Sequence, residues 1–398
     1  MNFKLPTDVE YILSTLEASG YRADIVGGSV RDFLLGKDPG DYDITTSALP
    51  EEVKATFAGE RIIETGIKHG TVTLVLSGTP YEITTYRFDG EYSDSRHPTS
   101  VSFTRRIEDD LMRRDFTVNA MAYSYRHGLT DLYGGIDDIS ARLIRAVGDP
   151  DTRFSEDALR ILRAIRFSSV LGFEVEEKTA LAAIRNMPLL SNVSAERIYV
   201  EWKKLLAGEK AYRTLSDFAL IIGQIIPELS SLVLPDPDSF AAGDSICRML
   251  SLFALSAENP ASAFDSAADR LRMDNATRHL GVSVLSSLGR FDTSSDKGLT
   301  YALMSLGESA TRTLIDLETL LHLSAPDAKR CLSELLSRGV AYRLSDLKIN
   351  GTDLMAIGVR GREIGNLLSK LLCEVVEQRV SNERDALLSF AKTVTEIK

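Results

Sequence analysis

Asp41 and Asp43 stand one residue apart in "GDYDITT", a short way after two glycines and an arginine in "VGGSVRD" (Gly27, Gly28 and Arg31). On a strand, side chains at i and i+2 share a face, so both carboxylates would meet at one point with Tyr42 turned away. Such a pair suits Mg²⁺ that must also hold substrate phosphates, because the ion keeps several waters and takes only one or two protein oxygens. Glycines at a strand end let a ligand approach the backbone closely. The N–H groups opening "SVRDFLLG" can then meet phosphate oxygens, with Arg31 one turn inside. The chemistry that fits this combination is phosphoryl transfer.

The same spacing recurs at Asp149-Pro-Asp151 and Asp236-Pro-Asp238. Proline cannot donate to an interior ladder, so those two pairs mark turns, whereas Ile44, Thr45 and Thr46 continue Asp41-Tyr-Asp43 as a strand. A third carboxylate, Glu82, lies in "YEITTYR". Strand pairing would put it beside the aspartates; a surface glutamate is the other reading.

The elements that must position these residues change character along the chain. Up to about residue 145, strand signals ("RADIVGG", "DYDITT", "GTVTLVL", "YEITTYR") mix with the amphipathic helices "VEYILSTLEASG" and "SVRDFLLG", an α+β unit. Beyond Ser155, long helical patterns such as "SEDALRILRAIRFSSVLG" and "SAERIYVEWKKLLAG" predict an all-α remainder. At 398 residues the chain exceeds one core, so two to four domains are expected. No run of about eighteen apolar residues could span a bilayer. The N-terminus lacks a secretory pattern, and three scattered cysteines (Cys247, Cys331, Cys373) point to the cytoplasm. A net charge of −11 would repel nucleic acid if spread evenly. Arg142, Arg145, Arg153, Arg160, Arg163 and Arg166, with Arg96, Arg105, Arg106, Arg113 and Arg114 upstream, therefore mark either a basic cleft or a solvated, charge-balanced face.

"GGSVRD" followed by "GDYDITT" resembles the opening of the class II nucleotidyltransferases that add CCA to tRNA 3′ ends and of bacterial poly(A) polymerases. "RRDFTVNAMAY", "DLYGGIDDI", "FSEDALRILRAIRF" and "SAERIYVEWKKLL" resemble the next motifs in the family's order. The resemblance implies a polymerase-β-like head domain (1–145) with two Mg²⁺ ions. An all-α neck that recognises the nucleobase (146–210), a helical body (211–300) and a tRNA-binding tail (301–398) would follow. It implies that Asp41 and Asp43 ligate metal with Glu82 in support, and that Gly28, Arg31 and Arg114 reach the nucleotide. Asp115 and Asn119, i and i+4 on one helical face, would hold the ribose side.

Asp157 and Arg160 are expected as neighbours on one helix, with Arg163 further along the ridge and Ile161, Leu162 and Ile165 on the packed side. Taken alone they make a surface salt bridge. Cytosine and adenine, however, each place an amino donor beside a ring-nitrogen acceptor, while guanine and uracil place a carbonyl beside an N–H. A carboxylate only accepts and a guanidinium only donates, so the pair matches C and A and mismatches G and U. The resemblance assigns Asp157 and Arg160 this role as a protein template, with Arg163 and Arg166 on phosphate or stacked on the pair. The implied partners are CTP, ATP and the tRNA acceptor end, with no membrane; a homodimer is left open. "ETGIKHGTVTL" and the segment "LKINGTDLMAIGVRGREIGNLLSK" resemble the CCA-adding members more than the poly(A) polymerases, although Arg362 stands where the family pattern has proline. "RFDGEYSDSRHPTSVSFTRRIEDD" resembles the loop whose shortening accompanies CC-only addition. The alternatives are an A-only or CC-only relative, or a poly(A) polymerase.

Overall fold

A computed structural model describes residues 3–89 and 101–396. Part of the loop segment just named, residues 90–100 with Arg96, lies outside the described residues. Two units make up the chain, Met1–Ile225 and Ile226–Lys398.

The first unit opens with α1 (Thr7–Ala18), whose buried Val9, Ile12, Leu13 and Leu16 follow helical spacing. It continues through β1 (Ala23–Val26), α2 (Gly28–Leu34), β2 (Asp43–Thr46), α3 (Pro50–Thr56), β3 (Arg61–Ile63), β4 (Thr71–Leu76) and β5 (Thr79–Thr85). After the small hairpin of β6 (Arg87–Asp89) and β7 (Val101–Phe103) come α4 (Ile107–Met112), β8 (Met121–Ser124), β9 (Gly128–Asp131) and α5 (Gly135–Ala141). One mixed sheet runs β3-β4-β5-β2-β1-β8-β9. Its central strands carry fully buried Ile25, Ile44 and Ile83, which is why they read as short apolar β-branched runs. β2 pairs antiparallel with β1 and parallel with β5, with Ile44 opposite Ile83 and Thr45 opposite Thr84. One step back along that register, Asp43, the first residue of β2, stands level with Glu82 in the middle of β5, and the two share a face.

A helical stretch completes this unit: β10 (Leu143–Ile144), α6 (Pro150–Glu156), α7 (Leu159–Leu171), β11 (Glu174–Val175), α8 (Glu177–Asn186), α9 (Ala195–Leu206), α10 (Ala211–Asp217) and α11 (Ala219–Ile225). α7 lies along α9, with Ile161 and Ile165 of one and Trp202 and Leu205 of the other buried.

The second unit is helical among its described residues: α12 (Pro237–Ala242), α13 (Ser245–Ser256), α14 (Pro260–Arg270), α15 (Asn275–Leu285), α16 (Asp296–Leu320), α17 (Ala328–Ser337), α18 (Gly351–Ala356), α19 (Arg362–Val376) and α20 (Arg384–Glu396). Leu299, Leu303, Ile315 and Leu332 anchor one apolar cluster, and Leu354, Leu371 and Leu387 a second. α16 kinks at Gly307, whose φ of 77° only glycine adopts at little cost.

The two proline-containing D-x-D pairs are helix starts. Asp149 accepts from Thr152 N–H and Asp236 from Ser239 N–H, each at 2.9 Å, with proline in the first turn. "DLYGGIDDI" is also a structural device. The Asp131 carboxylate accepts from Gly135 and Ile136 N–H at 2.9 Å each, closing the start of α5. A Cβ on Gly135 would stand 2.4 Å from the Thr117 carbonyl oxygen. Gly135→Ala must therefore push α5 off the turn that holds Asn119. We expect a loss of about 1–3 kcal/mol, read as a fall in melting temperature; an unchanged transition would contradict this packing account.

Candidate active site

Asp43 is the first residue of β2 and is open to solvent. Asp41 precedes the strand, so the ladder expected over residues 41–46 is shorter than its alternation suggested and orients only the second aspartate. Both still line one cavity of about 560 Å³, together with Gly40, Tyr42, Tyr81 and Glu82. The Tyr42 ring leans on Phe33, centroid to centroid 6.1 Å, and Phe33 in turn stacks on Phe3 at 4.8 Å. The cleft walls around Asp43 raise its pKa above the ordinary aspartate value. Arg114 pulls the other way, Asp41 adds to the rise, and Arg163 counters it.

Among the described residues no three His, Cys, Asp or Glu groups converge tightly enough to cage a metal unaided. A hard divalent ion needs only one or two protein carboxylates and leaves its other positions to water and phosphate oxygens. Two acids facing one cavity, one of them destabilised by the other's charge, form a donor set that a cation would relieve.

Beside this pair the chain turns at Gly27, whose φ of 76° and close approach of Arg114 Nη1, 3.0 Å from where a Cβ would sit, require glycine. Gly28 opens α2, and its would-be Cβ meets only ordinary contact with Arg31. Arg114 donates from Nη2 to buried Asp110 at 3.3 Å, while its buried Nε has no partner among the described residues. Arg31 donates from Nε and Nη2 to Asp32 and from Nη1 to Asn119 Oδ1 at 2.7 Å. Asn119 Nδ2 continues to Asp115 Oδ1 at 3.4 Å, and Asp115 Oδ2 accepts from Arg163 Nε at 2.7 Å and Nη2 at 2.6 Å. Burial works to raise the Asp115 pKa, yet Arg163 outweighs it and holds the carboxyl below the usual range. The i,i+4 relation of Asp115 and Asn119 does not come from an α-helix. Phe116 is extended and Thr117–Asn119 form a 3₁₀ turn, because Phe116 bridges to Ala146 while Thr117 bonds to Arg145 O.

Asp157 and Arg160 depart from expectation in a second way. The helix breaks between α6 and α7. Asp157 is extended and caps α7, its carboxylate accepting from Leu159 N–H at 3.1 Å and its carbonyl from Arg160 N–H at 2.9 Å. The expected Asp157–Arg160 salt bridge is absent. Asp157 pairs instead with Arg197 of α9 (Nη2 to Oδ2 2.8 Å), forty residues away. Arg160 is buried and donates to Glu156 Oε2 at 2.5 Å and to the Arg153 and Arg113 carbonyls at 3.1 Å each. Arg166 donates to Glu201 of α9 at 2.6 Å, and burial lowers its pKa.

The arginine cluster is thus largely internal wiring rather than a free basic face: Arg145, Arg153, Arg160, Arg163 and Arg166 each hold an acid. Arg163 links the halves of the site, because its charge acts on Asp43 while Asp157 and Asp115 act on it. Sequence reasoning passed over Arg197 and Glu201, an i,i+4 pair on α9, and Phe167, whose ring meets three arginines. Their motif, "SAERIYVEWKKLL", was visible, but their partners were not.

Carboxylates on two adjacent interior strands, beside a glycine turn and an arginine network, are the apparatus of a nucleotidyltransferase. In accord, a family model described as the poly A polymerase head domain matches residues 23–145. A probable RNA and SrmB-binding site of polymerase A matches 172–231, and a putative tRNA nucleotidyltransferase domain 2 matches 330–391. The CCA-adding enzyme of Lactobacillus delbrueckii subsp. bulgaricus is 38% identical over 387 residues, covering 95% of this chain and 96% of its own. That of Geobacillus thermodenitrificans is 52% identical over 204 residues, 51% of this chain and 50% of its own. The crystal structure of the Bacillus stearothermophilus CCA-adding enzyme in complex with CTP superposes with a TM-score of 0.82 at 30% identity over 99% of each chain. The chain belongs to the CCA-adding enzyme family of tRNA nucleotidyltransferases, a membership that implies dependence on a divalent metal. Among the described residues no helix is long and apolar enough to cross a membrane, and the three cysteines are unpaired.

The raised pKa of Asp43 has a signed consequence. The folded state binds this proton more tightly than the unfolded chain, so ionised Asp43 costs stability above its folded pKa, and the cost fades as pH falls through it. In metal-free buffer, Asp43→Asn should melt above the parent at neutral pH and converge with it in the acidic carboxylate range. A variant less stable than the parent at neutral pH would contradict the charge assignment.

Proposed function

We propose that the chain adds CMP and AMP to the 3′ end of tRNA, building or repairing CCA from CTP and ATP with release of pyrophosphate and without a nucleic acid template. The observation that supports this is the single cavity lined by Asp41, Asp43 and Glu82, with Arg163 as the cation whose charge is felt by Asp43 and which itself feels Asp157. Full-length likeness to CCA-adding enzymes supports it over a poly(A) polymerase.

Asp41 and Asp43 would hold Mg²⁺, with Glu82 at the matching register position of β5 in support. Bound there, the metal supplies acidification of the tRNA 3′-hydroxyl and charge neutralisation at the leaving pyrophosphate. The Gly27–Gly28 turn and the α2 N-terminus accept the triphosphate, with Arg31 and Arg114 donating to it. The orphaned Arg114 Nε is a donor awaiting such an acceptor. Asp115 and Asn119 act on the ribose side by fixing Arg31 and Arg163, since most of Asp115's acceptor capacity is already engaged.

Base choice lies with Asp157 and Arg160. Asp157 is held by Leu159 N–H and Arg197, which leaves acceptor capacity on Oδ2 for an exocyclic amino group. Arg160 spends three N–H groups on Glu156 and two carbonyls, keeping the rest of its five for a ring nitrogen. Arg163 and Arg166 stand beside them as phosphate or stacking partners. Guanine and uracil would meet acceptor with acceptor and donor with donor, a mismatch the buried groups cannot relieve. The helical body and tail would engage the acceptor arm, and the unpaired cysteines fit the cytoplasm.

The deciding assay supplies Mg²⁺ and each labelled NTP with tRNAs ending before the first C, after CC, or complete. Addition of C, C and A followed by arrest is expected; A-only or CC-only products would restrict the activity, and long A tails on unrelated RNA would overturn it. Asp41→Ala should lower incorporation about 10³-fold or more while leaving tRNA binding. Asp157→Ala should keep turnover but cut the preference for C and A over U and G by about 10–100-fold.

A further inference from the structure

We propose that Phe167 is a positioning residue for nucleotide binding: one buried ring seats three guanidinium groups, Arg31 of α2 and Arg163 and Arg166 of α7, in a fixed arrangement. The guanidinium carbons lie 5.4, 5.4 and 3.7 Å from the ring centroid. The ring is 5% exposed and is braced edge-on by Phe116, centroids 5.8 Å apart and planes at 81°.

Three like charges converging on one spot repel one another. Each has its own acid, Asp32 for Arg31, Asp115 for Arg163 and Glu201 for Arg166. Those three acids stand on different elements, and each is bonded to one of the arginines. Phe167 is the neighbour common to all three guanidinium groups. An aromatic face is electron-rich, so it attracts a cation without carrying a net charge. That distinction matters next to a triphosphate: a carboxylate in this position would occupy the arginines' donors and repel the phosphates, while an aliphatic side chain would leave the guanidinium groups unbalanced. The ring can hold them in place with their N–H groups still free to donate outward. It also joins the two halves of the site, because Arg31 belongs to α2, the helix after the glycine turn, and Arg163 and Arg166 to the helix that follows Asp157.

The inference rests on the reading that Arg31 faces the triphosphate, and the experiment separates the two. In the full-length enzyme, Phe167 is replaced by mono-, tri- and pentafluorophenylalanine, which keep the ring's shape while draining its negative face. KM for CTP and for ATP should rise together and stepwise, reaching about 10-fold for the pentafluoro ring. kcat, melting temperature and the preference for C and A over U and G should stay near those of the parent, which a role in packing alone would not produce. Phe167→Tyr should behave like the parent, and Phe167→Leu, if it folds, like the pentafluoro variant. A flat KM across the fluorine series overturns the proposal. Arg31→Ala serves as the control. If it raises KM while the fluorine series is flat, only the ring's role is lost; if it leaves KM unchanged, the phosphate assignment of Arg31 fails and the inference with it.

Discussion

The site depends on a buried chain of hydrogen bonds running from Arg31 through Asn119 and Asp115 to Arg163. It starts on the helix that follows the glycine turn, passes through the 3₁₀ turn of the head sheet and ends on α7. Its strongest link, Asp115 with Arg163, is out of water on the aspartate side, at 8% exposure. A pair of this kind gains little net stability when intact, but removing one partner strands the other charge and costs about 3–5 kcal/mol. The chain therefore acts as a ruler more than as a source of stability. On the assignment proposed above, it fixes how far the residues that would read a base stand from those that would face the metal.

The same logic explains how a chain of net charge −11 can serve anionic substrates. Its arginines are not displayed on a uniformly basic surface. They are held by acids from inside, as Arg160 is by Glu156 and Arg166 by Glu201. Such preorganisation reduces the side-chain entropy lost when a phosphate or base edge arrives. α9 grips the start and the middle of α7, since Arg197 and Glu201 are four residues apart on one helix and hold Asp157 and Arg166 respectively.

Much of this was legible in the sequence. Alternating Thr, Val and Ile marked β2, β4 and β5, and the parallel register of β2 with β5 puts Glu82 level with Asp43, as pairing of those runs suggested. The prolines set the two other D-x-D pairs apart from Asp41 and Asp43, although those pairs open helices rather than the turns expected of them. The break between α6 and α7 was harder, because helical periodicity continues across it and only the local capping by Asp157 ends one helix and begins the next. An aspartate just before an apolar helical run carries that signal, but the carboxylate's second partner does not lie nearby. Arg197 is forty residues on, and no spacing rule connects positions that meet only when α9 packs on α7. Phe167 was hidden differently, since a phenylalanine on an amphipathic helix reads as core, which it also is. The aspartate pair itself was read on a strand two residues too long, and the cavity that Asp41 shares with Asp43 makes up for the missing ladder.

The most direct measurement is a diffraction experiment on crystals grown with Mn²⁺ and a non-hydrolysable CTP, using the anomalous signal of manganese to locate the metal. The account predicts a peak between the carboxylates of Asp41 and Asp43, phosphates toward Arg31 and Arg114, and the cytosine amino group against Asp157. Manganese bound elsewhere, or a base lying away from Asp157 and Arg160, would contradict it.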